Sequence, residues 1–559
     1  MVGLKDKETI QLMKASETKL QPILSGPRQY IIPYFQRTYS WKTKQWKGLW
    51  EDLQSLYTAD KEREHFLGAI VTVPMGMTPN GTGKVLLIDG QQRLTTLLIF
   101  LAVLRDIAKE RDNEQLATQI EKLYLFNEFE SGLECFRLLP SEGDQEVFFA
   151  LMCGEPVDNN HRLSQAYSYF LKRTQRKIDK NDLGRLRRII ISNLVVVNIV
   201  LGVDENPHRI FESLNYKGEP LTQADLVRNY FFMRIPLEHH KSVYNEHWFP
   251  MQQRFAHSRR DLLGGFMWRY LLKDGTFVRR GDVYDAFKKR LDPVADDQLI
   301  PTLQDLARFA DYYERLRDPT KEQDSPSLQE KLGRLKRWDV TTSYPFLLNI
   351  YEDYCEGSIS VEKFRQIMDT LESFVVRRTF CRIPTNELNR LFISLYRQLD
   401  RDDLVSSLRA ALCQRRWPTD EEFARGWEVF PIYKSGREKA RLVLESLETA
   451  CGHKEIVDVS TLQIEHVMPQ TLTSEWRQIL GHNADETHNT YLHTIGNLTL
   501  TGYNQPLGNK PFIRKKAEFV RSHLELNKYF KACDIWDEEA IQHRALTLFG
   551  MARRIWHRP

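Results

Sequence analysis

The spacing of apolar positions changes character along the chain, and the changes predict its elements. Residues 1–25 set Ile10, Leu12, Met13 and Leu20 among charges at helical intervals, which predicts a helix. Tyr30-Ile31-Ile32 reads as a short strand stopped by Pro33. Helical spacing runs from about Lys44 to Leu56, with Ser40 and Thr43 as candidate caps. His65 to Val73 is apolar and partly β-branched and predicts a strand, and Gly76, Pro79, Asn80, Gly81 and Gly83 mark a turn after it. Val85-Leu86-Leu87-Ile88 predicts a buried strand running into Asp89-Gly90, and helical spacing follows from Leu94 to Ile107. Leu194 to Val203 is another strand-like run. These alternations describe a mixed α/β N-terminal domain.

Residues 110–190 read as mainly helical. Residues 207–235 read as helix, turn, helix, with Gly218 and Pro220 in the turn and Thr222 capping the second helix ahead of Asp225. From 236 to about 455 nearly every window has a helical period. Around 456 the pattern changes again: Val457 to Ile464 predicts a strand, a His- and Asn-rich segment runs to Asn509, and helices follow to the end. The reading is a predominantly helical α+β protein divided at 1–235, 236–455 and 456–559. No repeat of solenoid length is present.

Length supports the division, because 559 residues exceed what one hydrophobic core organises. Hydrophobic and charged fractions of 42% and 28% exclude a disordered or collagen-like chain. The net charge of +4 decides nothing about nucleic acid, so clustering matters more. Lys172 to Arg188 carries eight basic residues against two acidic ones. The segment 510–531 carries seven against two, and Lys510, Arg514, Lys515 and Lys516 there are candidates for a phosphate-tracking face. Smaller pairs stand at Arg377-Arg378 and Arg415-Arg416. Seven scattered cysteines without a CxxC pair argue against a disulfide framework and a zinc ribbon, which predicts a reducing, cytoplasmic setting. No apolar run approaches the roughly 20 residues of a membrane span, and the charged N-terminus lacks the apolar core of a signal peptide.

The strand–Asp89-Gly90-Gln91-Gln92-Arg93–helix joint is the first place where chemistry gathers. A helix beginning near Gln92 aims backbone N–H groups outward and makes an anion site. Arg93 adds a planar cation suited to phosphate, Asp89 a group for a cation, a water or a ribose hydroxyl, and Thr95 and Thr96 hydroxyls. The competing reading is a tight turn whose arginine pairs with a nearby carboxylate. Gly81-Thr82-Gly83-Lys84 lacks both the earlier glycine and the following Ser/Thr of a phosphate loop and is set aside. Gln36, Arg37, Tyr39 and Trp41 form a polar-aromatic cluster that either builds core or cages a flipped or modified base.

The second gathering is Glu465-His466 ahead of Pro469, then Gly496-Asn497-Leu498, Asn504, Asn509 and a basic helix. That order suits a ββα-metal nuclease. Phosphodiester hydrolysis needs a base to deprotonate water, which His466 supplies. It also uses a divalent cation on hard oxygen ligands, for which Glu465, Asn504 and Asn509 are candidates, with Mg²⁺ or Mn²⁺ as the ion. Asn497 is a candidate catalytic or ring-fixing residue, and the choice between Asn504 and Asn509 stays open. His453, His482, His488 and His493 show no paired metal spacing and read as loop residues.

Together these motifs resemble the GmrSD-type, type IV (modification-dependent) restriction endonucleases, with both halves fused in one chain. Ile32 through Trp41, His65-Phe66-Leu67-Gly68 and Asp89 through Thr96 resemble the GmrS half, as do Ile210 through Asn215, Lys217-Gly218 and Asp225-Leu226, although the family often has Arg where Lys217 stands. Val376-Arg377-Arg378 through Leu388-Asn389 is similar too. Ile464 through Gln470, Gly496 through Leu500, Asn504 and Asn509 resemble the GmrD half. The resemblance implies a ParB-like N-terminal fold and an HNH nuclease. It implies an NTP-stimulated enzyme that cuts modified phage DNA such as glucosylated DNA, and the expected assembly is a homodimer or a monomer–dimer switch. Asp89, Gly90, Gln91, Gln92, Arg93 and Thr95 would handle the nucleotide, and Gln36, Arg37, Tyr39 and Trp41 would sense the modification. Two alternatives are a phosphorothioate-sensing nickase of the same architecture and a non-catalytic DNA-binding regulator with a degenerate nuclease.

Overall fold

The computed structural model describes residues 14–34, 36–59, 61–179, 182–202, 222–256, 261–452, 458–502 and 507–559. The chain forms two units, Met1–Gln253 with Tyr284–Leu303 and Arg254–Val283 with Gln304–Pro559. It is a predominantly helical α+β protein, as the periodicity predicts.

Unit one is built on a six-stranded mixed sheet. Its strands are β1 (Lys14–Lys19), β2 (Arg28–Ile31), β3 (His65–Met77), β4 (Gly83–Asp89), β5 (Leu138–Leu139) and β6 (Leu194–Val200), in the order β1-β6-β3-β4-β2-β5. β1–β6 and β3–β4 are antiparallel, and the other neighbours are parallel. The helix predicted over 1–25 lies partly outside the described residues, and where described, Lys14–Lys19 is instead an exposed edge strand. Its backbone partner is β6, nearly 180 residues away, which local periodicity does not record. β3 runs past its predicted end, with register shifts between Phe66 and Gly68 and between Pro74 and Gly76.

Helix α1 (Thr43–Thr58) buries Trp46, Leu49, Trp50 and Leu53. Neither Ser40 nor Thr43 caps it. Lys42 is the cap, and its N–H donates to the Gln45 side chain at 3.1 Å. Helix α2 (Gln91–Glu110) is the spine of the core: Phe100 lies 6.0 Å from Trp50 and stacks on Phe170 at 4.6 Å. Helix α3 (Gln223–Arg234) begins on the predicted Thr222–Asp225 capping box. The segment before it, Ile210 through Gly218 included, lies outside the described residues.

In unit two, helices carry the fold and a two-stranded sheet carries the site. Helix α4 (Val361–Phe380) runs buried, and its Arg377 donates through Nε to the Trp556 carbonyl at 2.6 Å. Helices α5 (Leu388–Ser394), α6 (Leu404–Cys413), α7 (Ile432–Ser435) and α8 (Arg437–Ala450) follow. The strand predicted at 457–464 is shorter and later. β7 (Gln463–His466) pairs antiparallel with β8 (Leu498–Thr501), setting His466 opposite Leu498. Helices α9 (Phe512–Arg521), α10 (Glu525–Lys528) and α11 (Glu538–Ile555) complete the chain. Trp476, Phe512, Phe519, Phe530 and Trp536 form the core beside the sheet. All seven cysteines are free thiols, and no described helix is long and apolar enough to cross a membrane.

Candidate functional site

β7 delivers Glu465 and His466 as consecutive residues, so the strand's alternation points them to opposite faces. His466 is only 5% exposed. Its Nε2 lies 3.2 Å from His493 Nδ1, and Gln470 Nε2 approaches its Nδ1 at 3.5 Å. Tyr433 of α7 meets the His466 ring edge-on at 4.6 Å and stacks on His493 at 5.5 Å. Burial, then the charges of His493, Lys515, His488 and Arg437, push the His466 imidazole down to about 3. The ring is therefore neutral at physiological pH, the form that accepts a proton.

Asn497 points into the protein interior. It is wholly buried, and its side chain is fully engaged. Oδ1 accepts from the Met468 N–H at 2.7 Å and Trp536 Nε1 at 3.1 Å, while Nδ2 donates to the Met468 and Leu492 carbonyls at 3.0 Å each. Asn497 stitches the loop after β7 to the 492–497 segment that carries His493, so it is a positioning residue.

Lys515, predicted on a DNA-facing surface, is also buried. Its Nζ lies 2.6 Å from Glu465 Oε1 and donates to the His466 carbonyl at 2.7 Å. Burial pushes the Glu465 carboxyl up and the Lys515 ammonium down, and each is opposed by the other. A lysine thus occupies the carboxylate assigned to a metal. Asn509 lies exposed in the turn before α9, and Asn504 falls outside the described residues. Among the described residues no three His, Cys, Asp or Glu converge to hold a metal ion. These residues do not by themselves fit the expected cation. Of the other basic candidates, Lys510 and Arg514 are exposed, and Lys516 donates to the Cys533 carbonyl at 2.6 Å.

In unit one the strand–helix joint lies where the sequence predicts it. Gly90, at φ +97, caps α2, and a Cβ there would meet the Ala69 carbonyl at 3.3 Å. Arg93 reaches back along the helix to Asp89 at 3.4 Å and donates to the Leu67 carbonyl at 3.1 Å. Gly68, at φ +113, leaves that path open, since a Cβ there would lie 2.1 Å from Arg93 Nη1. Burial pushes the Asp89 carboxyl up, against the pull of Arg93, the Gly90 N–H and Arg37.

The neighbouring candidates divide. Gln36 donates to the Leu87 and Ile88 carbonyls at 2.9 and 2.8 Å, stapling its segment to β4, while its Oε1 is buried without a partner. Gln92 is buried, accepting from the Ser40 N–H at 2.7 Å, and Gln91 is half-buried. Thr95 is buried in the helix. Tyr39 is not available to cage a base. It is buried, with its hydroxyl bonded to Thr96 at 2.7 Å and Trp46 Nε1 at 2.8 Å. Trp41 packs half-buried against the core. Asp89, Arg93 and Arg37 remain as the charged groups at the joint.

Sequence reasoning missed His493 and Tyr433. Twenty-seven and thirty-three residues separate them from His466, and nothing in their spacing marks the pairing. The faint signal available was a histidine four positions before Asn497.

Residues 20–232 match the family model of the GmrSD restriction endonuclease N-terminal domain, and residues 417–551 match that of the GmrSD restriction endonuclease C-terminal domain. No curated protein matches the chain. Two such domains in this order, the second enclosing the His466 site, define a restriction endonuclease, a nuclease acting on DNA. The chain belongs to the GmrSD family.

Proposed function

We propose that the chain is an NTP-dependent type IV restriction endonuclease that cuts modified phage DNA by an HNH-type reaction at His466. The carrying observation is the buried His466 ring, fixed between Tyr433, His493 and Gln470. In this reading the imidazole takes a proton from water as it attacks a phosphodiester. A ring pushed down to about 3 is a weak base. An incoming phosphate offsets the positive charge of Lys515 and Arg437 near it and raises its basicity. A requirement for Mg²⁺ or Mn²⁺ is part of the proposal, with no step assigned to the ion.

The nucleotide belongs at the strand–helix joint of unit one, where Asp89 stands beside Arg93 and Arg37. Asp89→Ala and Arg93→Ala are each expected to lower NTP hydrolysis at least tenfold, about 1.4 kcal/mol or more, Arg93 by a lost phosphate contact and Asp89 by the lost carboxylate that holds Arg93 and can take a cation, a water or a ribose hydroxyl. Normal turnover in both would remove the joint from the account. The function itself is tested by incubating the chain with NTP, Mg²⁺ or Mn²⁺, and plasmid, glucosylated phage or phosphorothioate DNA. Cutting confined to glucosylated DNA, and stopped by EDTA, supports the proposal. Nicking of phosphorothioate DNA points to the sensing nickase, and intact DNA throughout to a regulator.

A further inference from the structure

Two arginine pairs have no part in the site above, Arg377-Arg378 and Arg415-Arg416. Within unit two the fold brings Arg378, Arg415 and Arg416 to one cavity of about 440 Å³, joined by Arg390 and lined also by Glu387 and Leu391.

Arg378 builds the cavity. It is 3% exposed, and its Nη1 donates to the Arg415 and Arg416 carbonyls at 3.1 and 3.2 Å. Its Nη2 donates to the Pro384 carbonyl at 2.8 Å, and its Nε is buried without a partner. One buried guanidinium thereby ties the turn after α6 to the loop before α5. The turn is held in an uncommon conformation, with Arg416 at φ +56. Arg416 pairs with Glu422 at 3.1 Å. Arg390 and Arg415 are exposed and make no ion pair among the described residues, and Glu387 is the one carboxylate in the lining.

Arg390 and Arg415, which make no ion pair among the described residues, suit a phosphate, which takes their paired N–H donors. No aromatic ring among the described residues lines the cavity, so these residues offer no platform on which to stack a base. We infer that this cavity grips the sugar–phosphate backbone of the DNA on which the enzyme acts. The inference takes the polymer from the endonuclease reading and takes the site from its own geometry.

The test is fluorescence anisotropy of a labelled random-sequence duplex with the full chain in EDTA, repeated over a range of salt. Arg390→Gln/Arg415→Gln is compared with the unaltered chain. Both residues are exposed, and an unchanged melting temperature confirms the fold. The double variant is expected to bind roughly tenfold more weakly, and its slope of log affinity against log salt should be shallower by about 1–2, as for one or two lost phosphate contacts. Unchanged affinity and slope would overturn the inference. So would loss of ATP or GTP binding with duplex binding intact, which would make the cavity a nucleotide site. Failure of the unaltered chain to bind duplex at all would overturn both this inference and the endonuclease proposal.

Discussion

Lys515→Met is expected to destabilise unit two by about 3–5 kcal/mol, the range for removing one partner of a buried ion pair. Lys515 is fully buried, with its ammonium 2.6 Å from Glu465 Oε1 and 2.7 Å from the His466 carbonyl. Methionine keeps the length and apolar character of the stem, so packing survives. What it loses is the charge that compensates Glu465, whose side chain is 12% exposed. Burial already pushes that carboxyl up, and without Lys515 its ionised form loses its nearest cation. The carbonyl of His466 loses its donor as well. Lys515→Met/Glu465→Gln is expected to recover most of the loss, because a neutral pair of similar volume needs no compensating charge. Urea denaturation of the three chains reads this directly. A single variant as stable as the unaltered chain would refute the charge argument. A double variant no better than the single one would assign the loss to packing.

His466→Ala is expected to lower the rate of DNA cleavage by about 10²–10⁴-fold, the usual worth of a positioned general base. The ring sits between Tyr433 at 4.6 Å and His493 at 3.2 Å. Its orientation is set by three neighbours and by the loop that Asn497 stitches down. Alanine removes the proton acceptor and leaves those neighbours in place. Nothing in the change touches Asp89 or Arg93, so NTP hydrolysis is expected to continue.

What the sequence revealed was local. The Asp89-Gly90 joint was legible because a strand, a left-handed glycine and a helix start are consecutive in the chain. The Thr222–Asp225 cap was legible for the same reason. Of the nuclease motif, Glu465-His466 and Gly496-Asn497 stand out by residue type and order. Their division of labour does not, because it depends on partners far along the chain. Lys515 reads as one cation of a solvated basic face until helix α9 places it 50 residues back, against Glu465. Tyr39 sits among polar residues that suggest a cage, yet Thr96 and Trp46 draw it into the core. The edge strand β1 has no periodicity of its own and is a strand because β6 pairs with it. Arg378 looks like half of a surface pair, and the carbonyls that bury it come from residues 384, 415 and 416.

The central claim is that His466 is the base of a DNA-cutting site that works apart from the nucleotide site. It is tested most directly by measuring DNA cleavage and NTP hydrolysis together in one preparation of His466→Ala, with glucosylated phage DNA as substrate. Cleavage is expected to be lost and hydrolysis kept. Cleavage at the rate of the unaltered chain would contradict it.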